Sequence, residues 1–411
     1  MAIDRILILD DNSTNTLFFE MLLKDIGVKE VFTSPTGDDA LVLADKKHIQ
    51  FVICAWELSG MPGTVFVQKL RSKKKRMFLP CVIYSKRMED DDVTLTKELG
   101  FENILSMPFE KKSARELLEK IIEYENNIDP KEVAIRKIRM YMSEGKPGEA
   151  FKMFNDNLFK PGPFKSPAML AAAEVFLGLS KLEKAEGCIN DVLDRSPNDF
   201  RALQLKARLH SRRGEHEESI KILQGLVKGS PKNLTSRIDL GSAYVAADRL
   251  DEAKETLNGV VDMDPSNQDA KDNLATVAFK QGDFGLAEQL IAETENGNEL
   301  ARIFNNMAIS QVATQKYDDA IHTYNNAIQL LSDKTRLFLL HYNLGLAYRK
   351  KGDYPKALKT LADSYFDNPQ FEKAYVGIAK TYKEMKRKKL KPDAKLISEV
   401  KKVRNANKVV A

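Results

Sequence analysis

Two hydrophobic periodicities divide the 411 residues. Over the first 125 or so, short apolar runs alternate with longer amphipathic segments. The runs are RILILD (5–10), EVFTS (30–34), FVICA (51–55), CVIYS (81–85) and NILSM (103–107). Between them, residues 14–26, 37–45, 64–70, 91–99 and 111–124 carry helical patterns. Strands alternating with helices predict a parallel sheet covered on both faces, and strands this apolar throughout fit burial on both sides. The expected fold is an α/β doubly wound five-stranded parallel sheet. Its functional edge is the set of carboxyl ends of the strands.

From Asp129-Pro130, a helix start with a capping carboxylate and proline in the first turn, the strand pattern gives way to helical periodicity alone. Small residues recur at Ala150, Ala185, Ser219, Ala253, Ala287, Ala320 and Ala357, at intervals of 35, 34, 34, 34, 33 and 37. A period near 34 predicts a helical repeat array. The segments LGSAYVAADRLDEAKETLNGVVDMDPSN (240–267) and LGLAYRKKGDYPKALKTLADSYFDNPQ (344–370) show the unit most clearly.

The strand ends read Asp10-Asp11, Ala55, Ser85 and Met107-Pro108-Phe109. With LDDNST, AWELSGMPG, IYS and MPF at their spacings, residues 4–125 resemble the receiver domain of bacterial two-component response regulators, of the chemotaxis (CheY-like) type. The resemblance implies a pocket in which two acidic residues and a phosphoacceptor aspartate hold Mg²⁺, while a hydroxyl residue and a lysine contact the phosphoryl group. Asp10 and Asp11 match the acidic pair and Ser85 the hydroxyl. Ala55 stands at the phosphoacceptor position, Met107 at the lysine, and Ile104 at the aromatic switch position. Phosphoryl transfer rests on positioning and charge neutralisation, so a degenerate, non-catalytic receiver is expected. At most weak Mg²⁺ binding at Asp10 and Asp11 is expected, and no other cofactor. Two alternatives stand beside this: an engineered Ala55, which leaves Met107 and Ile104 unexplained, and phosphorylation at Glu57 or Asp11.

The helical units resemble the tetratricopeptide repeat. Gly241, Tyr244, Leu250, Ala253, Leu257, Val260 and Pro265 stand at that family's positions, as do Gly345, Tyr348, Tyr354, Ala357, Leu361, Ser364 and Pro369. The expected organisation is a receiver-like domain over 1–127, about seven repeats over 128–371, a capping helix over 372–396 and a disordered basic tail over 397–411. The first repeat diverges around KPGPFKSP. The resemblance implies an all-α superhelix that binds protein or peptide ligands in a concave groove. Asn273, Asn306 and Asn343 match groove positions that bond a peptide backbone. On the receiver, the side near the last strand and helix, with Ile104, Phe109 and the helix from Lys111, is the expected surface for docking or dimerisation.

Composition adds little to this picture and excludes some rivals. Hydrophobic and charged fractions of 43% and 30% suit a globular protein. No apolar run approaches the roughly 20 residues that span a bilayer, and the apolar stretch at the N-terminus is too short for a signal peptide. The three cysteines, Cys54, Cys81 and Cys188, lack metal spacing and read as buried thiols of a reducing, cytoplasmic compartment. The net charge of +5 is concentrated at one end, with residues 380–411 carrying 12 Lys+Arg against 3 Asp+Glu and residues 1–127 carrying 18 against 21. KEMKRKKLKP (383–392) offers an alternative role in binding RNA or an anionic surface, with nucleic acid the less favoured partner, and KKKR (73–76) reads as a solvated loop. The five histidines pair with no nucleophile, and there is no phosphate-binding glycine loop. The expectation is a non-enzymatic, bacterial-type cytoplasmic adaptor or scaffold. The rival is a phosphorelay response regulator with a non-standard phosphosite.

Overall fold

The computed structural model describes residues 3–73, 76–101, 103–157, 166–293, 297–331, 337–390, 397–398 and 400–403. The chain divides into two compact units, Met1–Ala247 and Asp248–Ala411.

The first unit opens with five strands and five helices in strict alternation: β1 (Arg5–Leu9), α1 (Ser13–Ile26), β2 (Glu30–Ser34), α2 (Gly37–Lys46), β3 (Phe51–Ala55), α3 (Gly63–Ser72), β4 (Cys81–Ser85), α4 (Asp90–Glu98), β5 (Ile104–Ser106) and α5 (Lys111–Asn126). All strands are parallel, in the order β2-β1-β3-β4-β5. Because side chains alternate across a strand, each central strand feeds two cores. Leu7, Leu9, Val52 and Cys54 pack with Ala40, Phe66 and Leu95 of α2, α3 and α4. Ile6, Ile8, Phe51 and Ile53 pack with Phe19, Leu23 and Leu118 of α1 and α5. The turn after β3 needs a residue without a side chain: a Cβ on Gly63 would lie 2.5 Å from the Trp56 carbonyl oxygen, the atom to which Gly63 N–H donates at 3.2 Å.

The first unit continues with α6 (Pro130–Ser143), α7 (Pro147–Asn157), α8 (Ser166–Gly178), α9 (Leu182–Leu193), α10 (Phe200–Arg213), α11 (His216–Gly229) and α12 (Leu234–Ala246). The second contains α13 (Leu250–Met263), α14 (Gln268–Gln281), α15 (Phe284–Ala292), α16 (Gly297–Ala313), α17 (Tyr317–Leu331), α18 (Phe338–Lys351), α19 (Tyr354–Asp367) and α20 (Glu372–Arg387). Every residue of the small-residue series is at most 1% exposed. A close helix–helix approach fixes this choice, as it does at Gly345, where a Cβ would come within 2.6 Å of Leu361 Cγ.

Five residues before each small residue stands a left-handed one: Gly145, Ser180, Gly214, Asp248, Gly282, Gln315 and Gly352, with φ between 56° and 95°. The following N–H, at Lys146, Lys181, Glu215, Asp283, Lys316 and Asp353, reaches back five residues to a helical carbonyl at 2.8–3.0 Å. This is the Schellman closure of a helix end. The turn geometry therefore repeats even where glycine does not. An L residue in this conformation costs about 1–2 kcal/mol, and Ser180, Asp248 and Gln315 carry that cost inside the array.

Four expectations need correction. Arg76 of the KKKR run is buried, with its guanidinium on the Leu41 carbonyl at 2.9 Å and Asp45 at 3.4 Å, because a long aliphatic stem covers apolar surface while its head finds acceptors. Lys74 and Lys75 lie outside the described residues. The capping helix expected over 372–396 is α20, which ends at Arg387, and 391–396 lie outside the described residues. Residues 400–403, placed in a disordered tail, are helical, and Val403 is buried with Tyr354, Leu358 and Met385; residues 404–411 lie outside the described residues. Cys188 is only half-buried, whereas Cys54 and Cys81 are fully so, and burial pushes the Cys81 thiol up to about 12. Most of KPGPFKSP lies outside the described residues.

Candidate functional site: a self-satisfied receiver pocket and an internal docking face

The carboxyl ends of β1, β3, β4 and β5 bring Asp10, Asp11, Ala55, Ser85 and Met107 to one edge. Asp10 N–H donates to the Ser34 carbonyl at 3.1 Å, and Met107 N–H to the Ser85 carbonyl at 3.0 Å. Parallel register sets Ala55 beside Tyr84 and Ser85 beside Ser106.

Polar groups at this edge are already partnered by the protein. Asp10, 6% exposed, accepts from Asn12 N–H and from Asn15 Nδ2, each at 2.8 Å, and from the Tyr84 hydroxyl. Asp11 accepts from the N–H and hydroxyl of Ser59. Those two bonds hold its carboxyl below the ordinary value of 3.8. Ser85 Oγ lies 2.6 Å from Glu57 Oε1 and accepts from Arg87 N–H at 3.0 Å. Ala55 contributes no oxygen. Met107 is half-buried against the α1–α5 core and carries no charge. Ile104, at the start of β5, is half-buried.

Tyr84 is the residue that sequence reasoning missed. Its ring lies 5.1 Å from those of Phe19 and Phe109, in a cluster that also stacks Phe109 on Phe18. Burial first, and then the bond to Asp10, push its phenol far above the ordinary range, so it stays a donor. The only available signal was a tyrosine next to Ser85 in IYS. Phe109, placed on the expected docking side, has its ring in this aromatic cluster.

A divalent cation fits this edge poorly. Mg²⁺ demands near-octahedral oxygen ligands, and the two carboxylates here are committed to five donors with no third carboxylate at position 55. No group of three or more His, Cys, Asp and Glu among the described residues is arranged to hold a metal.

A second constellation lies on the other side of the sheet, where α3 and α4 meet the α11–α12 turn. Gln68 Nε2 donates to the Lys232 carbonyl at 3.0 Å, and its Oε1 accepts from Leu234 N–H at 2.7 Å. Lys232 Nζ lies 2.7 Å from Asp92 and 2.8 Å from Glu89, and Asn233 donates to Glu98 at 2.8 Å. Burial opposes the charge on Lys232, but the bonds to Asp92 and Glu89 outweigh it and leave its pKa above the ordinary lysine value. Burial likewise pushes the Glu98 carboxyl up.

In the second unit, Asn273 Nδ2 donates to the Asp269 carbonyl at 2.8 Å, one turn back in its own helix. Asn343 Nδ2 donates to Asn305 Oδ1 at 2.7 Å, tying α18 to α16. Asn306 is exposed, so the asparagine that pairs with Asn343 is its neighbour. The structure thus joins Asn343 to Asn305, on the helix that also carries Asn306. A cavity of about 690 Å³ in this unit is lined instead by residues such as Phe279, Met307, Gln311, His322 and Asn326.

The sequence pattern of the response regulator receiver domain matches residues 6–121, and tetratricopeptide repeat patterns match 170–233, 212–271 and 299–365. The chemotaxis protein CheY of Pseudomonas aeruginosa is 26% identical over 122 residues, which are 30% of this chain and 98% of that protein. The TPR repeat-containing protein YpiA of Bacillus subtilis is 24% identical over 217 residues, 51% of this chain and 50% of that protein. Among solved structures, the Vibrio cholerae chemotaxis protein CheY4 covers 29% of this chain and 98% of its own, at 24% identity and a TM-score of 0.28. No helix among the described residues is long and apolar enough to cross a membrane. The chain thus carries a CheY-like response regulator receiver domain over residues 6–121 and tetratricopeptide repeats within 170–271 and 299–365, a combination that suggests a signalling adaptor with protein-interaction repeats.

Proposed function

We propose that this protein is a non-enzymatic, cytoplasmic signalling scaffold whose receiver domain accepts no phosphoryl group and whose repeats hold partner proteins. The observation that carries the reading is the polar closure of the pocket. Asp10 is bonded to Tyr84 and Asn15, Asp11 to Ser59, and Ala55 has no nucleophile. Charge neutralisation and in-line positioning are what this chemistry requires, and Met107 supplies neither. The test is incubation of the full chain with acetyl phosphate and Mg²⁺, followed by intact-mass measurement. The expected result is an unmodified mass, and an acyl-phosphate adduct overturns the reading.

One observation favours a second reading. Glu57 places a carboxylate 2.6 Å from Ser85 Oγ, inside the pocket that the aspartate has left. If Glu57 is a non-standard acceptor, the adduct is labile to hydroxylamine and is lost in Glu57→Gln. In the favoured reading the signal arrives through protein contacts, and the partner is an extended peptide or protein segment held by the repeats. Pull-down with the full chain, compared with a variant carrying alanine at Asn273, Asn306 and Asn343, tests the groove; unchanged capture removes those residues from the ligand contact.

A further inference from the structure

A cavity of about 750 Å³ in the first unit opens at the end of the sheet opposite Asp10 and Ala55. It is walled by the segments entering β4 and β5, the end of α5, and α6 and α10. Its charge is unbalanced. Arg136 is consumed by Glu125, at 2.8 and 2.9 Å, and by Glu132 at 3.3 Å. Arg201 takes Glu174 at 2.7 Å, leaving Arg139 at 3.9 Å from the same carboxylate. The buried Arg139 Nε has no hydrogen-bond partner. Arg71 is held by the carbonyls of Leu79 at 2.6 Å and of Leu99 and Arg76 at 3.4 Å, with the Phe101 ring 4.1 Å from its guanidinium. Among the described residues no carboxylate pairs with it. Lys97 and Lys120 stand exposed at the rim, without ion pairs among the described residues.

A buried cation without a counter-ion is costly. Arg71 has no paired carboxylate among the described residues and Arg139 only the shared Glu174 at 3.9 Å, and burial pushes both down to about 10. Arg71 also feels Arg136, and Arg139 feels Arg201, so four guanidiniums crowd one cavity. The carboxylates that face it are engaged elsewhere, Glu125 and Glu132 on Arg136 and Glu98 on Asn233. Planar guanidiniums match phosphate geometry, and the volume is that of a small-molecule site.

We propose that this cavity binds a small molecule bearing an oligophosphate, with its phosphate oxygens on Arg71, Arg139, Lys97 and Lys120. The Tyr124 ring, 56% exposed, and Phe78 form an apolar wall on which a planar base stacks. The ligand is therefore either inorganic oligophosphate or a nucleotide. Bound there, it would join the receiver to α6 and α10 of the repeats.

The test is calorimetric titration of the full chain with inorganic tripolyphosphate and, separately, with ATP. One saturable site is expected for both, weakening as salt rises. Equal affinities assign the bare oligophosphate, and tighter ATP assigns a nucleotide. Arg139→Met should weaken binding by about tenfold or more, the scale of a charged hydrogen bond. Should that variant fail to fold, Lys97→Ala with Lys120→Ala keeps the test, because both side chains are exposed; a several-fold loss is expected. Arg195→Ala, an exposed arginine on the α9–α10 turn, should change nothing. Absence of a saturable site for either probe, or affinity unaltered by the double lysine variant, overturns the proposal.

Discussion

Gln68, on α3 of the receiver, grips the backbone on both sides of Asn233: its Oε1 accepts from Leu234 N–H at 2.7 Å and its Nε2 donates to the Lys232 carbonyl at 3.0 Å. The bond to Leu234 is buried. One side chain thus completes the start of a repeat helix. Replacing it by alanine strands that N–H without water or protein. The expected cost is about 1–3 kcal/mol. Amide exchange at residues 232–236 should accelerate in Gln68→Ala while exchange at β1 and β3 stays slow. Unchanged protection across 232–236 would show that the receiver face contributes nothing to holding this turn.

Charge at the same face should behave differently from the amide. Lys232→Glu sets a third carboxylate beside Glu89 and Asp92. We expect it to loosen the receiver from α12 more than Lys232→Met does, with the difference shrinking as salt rises, since Lys232 is one-third exposed and screened in part. Thermal melts of both variants at low and high salt check this.

Ala55→Asp by itself should neither stabilise the receiver nor make it a phosphoacceptor. Position 55 is 3% exposed and packed with Ile53 and Tyr84, so an ionised carboxylate there is buried without a partner. A lower melting temperature and an unmodified mass after acetyl phosphate are expected. Adding Met107→Lys should recover part of the lost stability by supplying a cation.

Asp11 and Ser59 give a pH signature. The two Ser59 bonds lower the folded-state pKa of Asp11 from 3.8. A depressed carboxylate contributes stability above its unfolded pKa, and that contribution disappears as pH falls through the folded value. Ser59→Ala should bring the Asp11 titration, followed by carboxyl NMR, up toward 3.8. Because Asp11 is exposed, the accompanying loss of stability near neutral pH should be small.

The repeat turns separate two kinds of glycine. Gly352 has φ 95° with nothing near its missing Cβ, so Gly352→Ala should cost about 1–2 kcal/mol through backbone strain alone. Gly345 has an ordinary helical backbone but faces Leu361 at 2.6 Å. Gly345→Ala should cost about 1–3 kcal/mol by overpacking. Adding Leu361→Ala should relieve the second variant and not the first, which urea melts of the double variants would show.

The two periodicities determined the fold class because each reports a local geometry. Apolar runs such as FVICA, buried along their whole length, can lie only within a sheet covered on both faces. Small residues every 34 positions mark where helices approach, whatever the rest of the unit does. The pocket positions Asp10, Asp11, Ala55, Ser85 and Met107 were legible for the same reason, since strand ends follow from strand pattern. What filled the pocket was not. Tyr84 reaches Asp10 across 74 residues of sequence, and Gln68 reaches Leu234 across 166. Nothing local in IYS or VQKL distinguishes a tyrosine or glutamine with a partner from one facing solvent. The left-handed turns at Ser180, Asp248 and Gln315 were hidden because tertiary packing of the flanking helices imposes a conformation that their own residues do not prefer. Pairing of Asn343 with Asn305, the burial of Arg76 and the packing of Val403 are likewise decided by which surfaces meet, a property of distances in space and not of spacing along the chain.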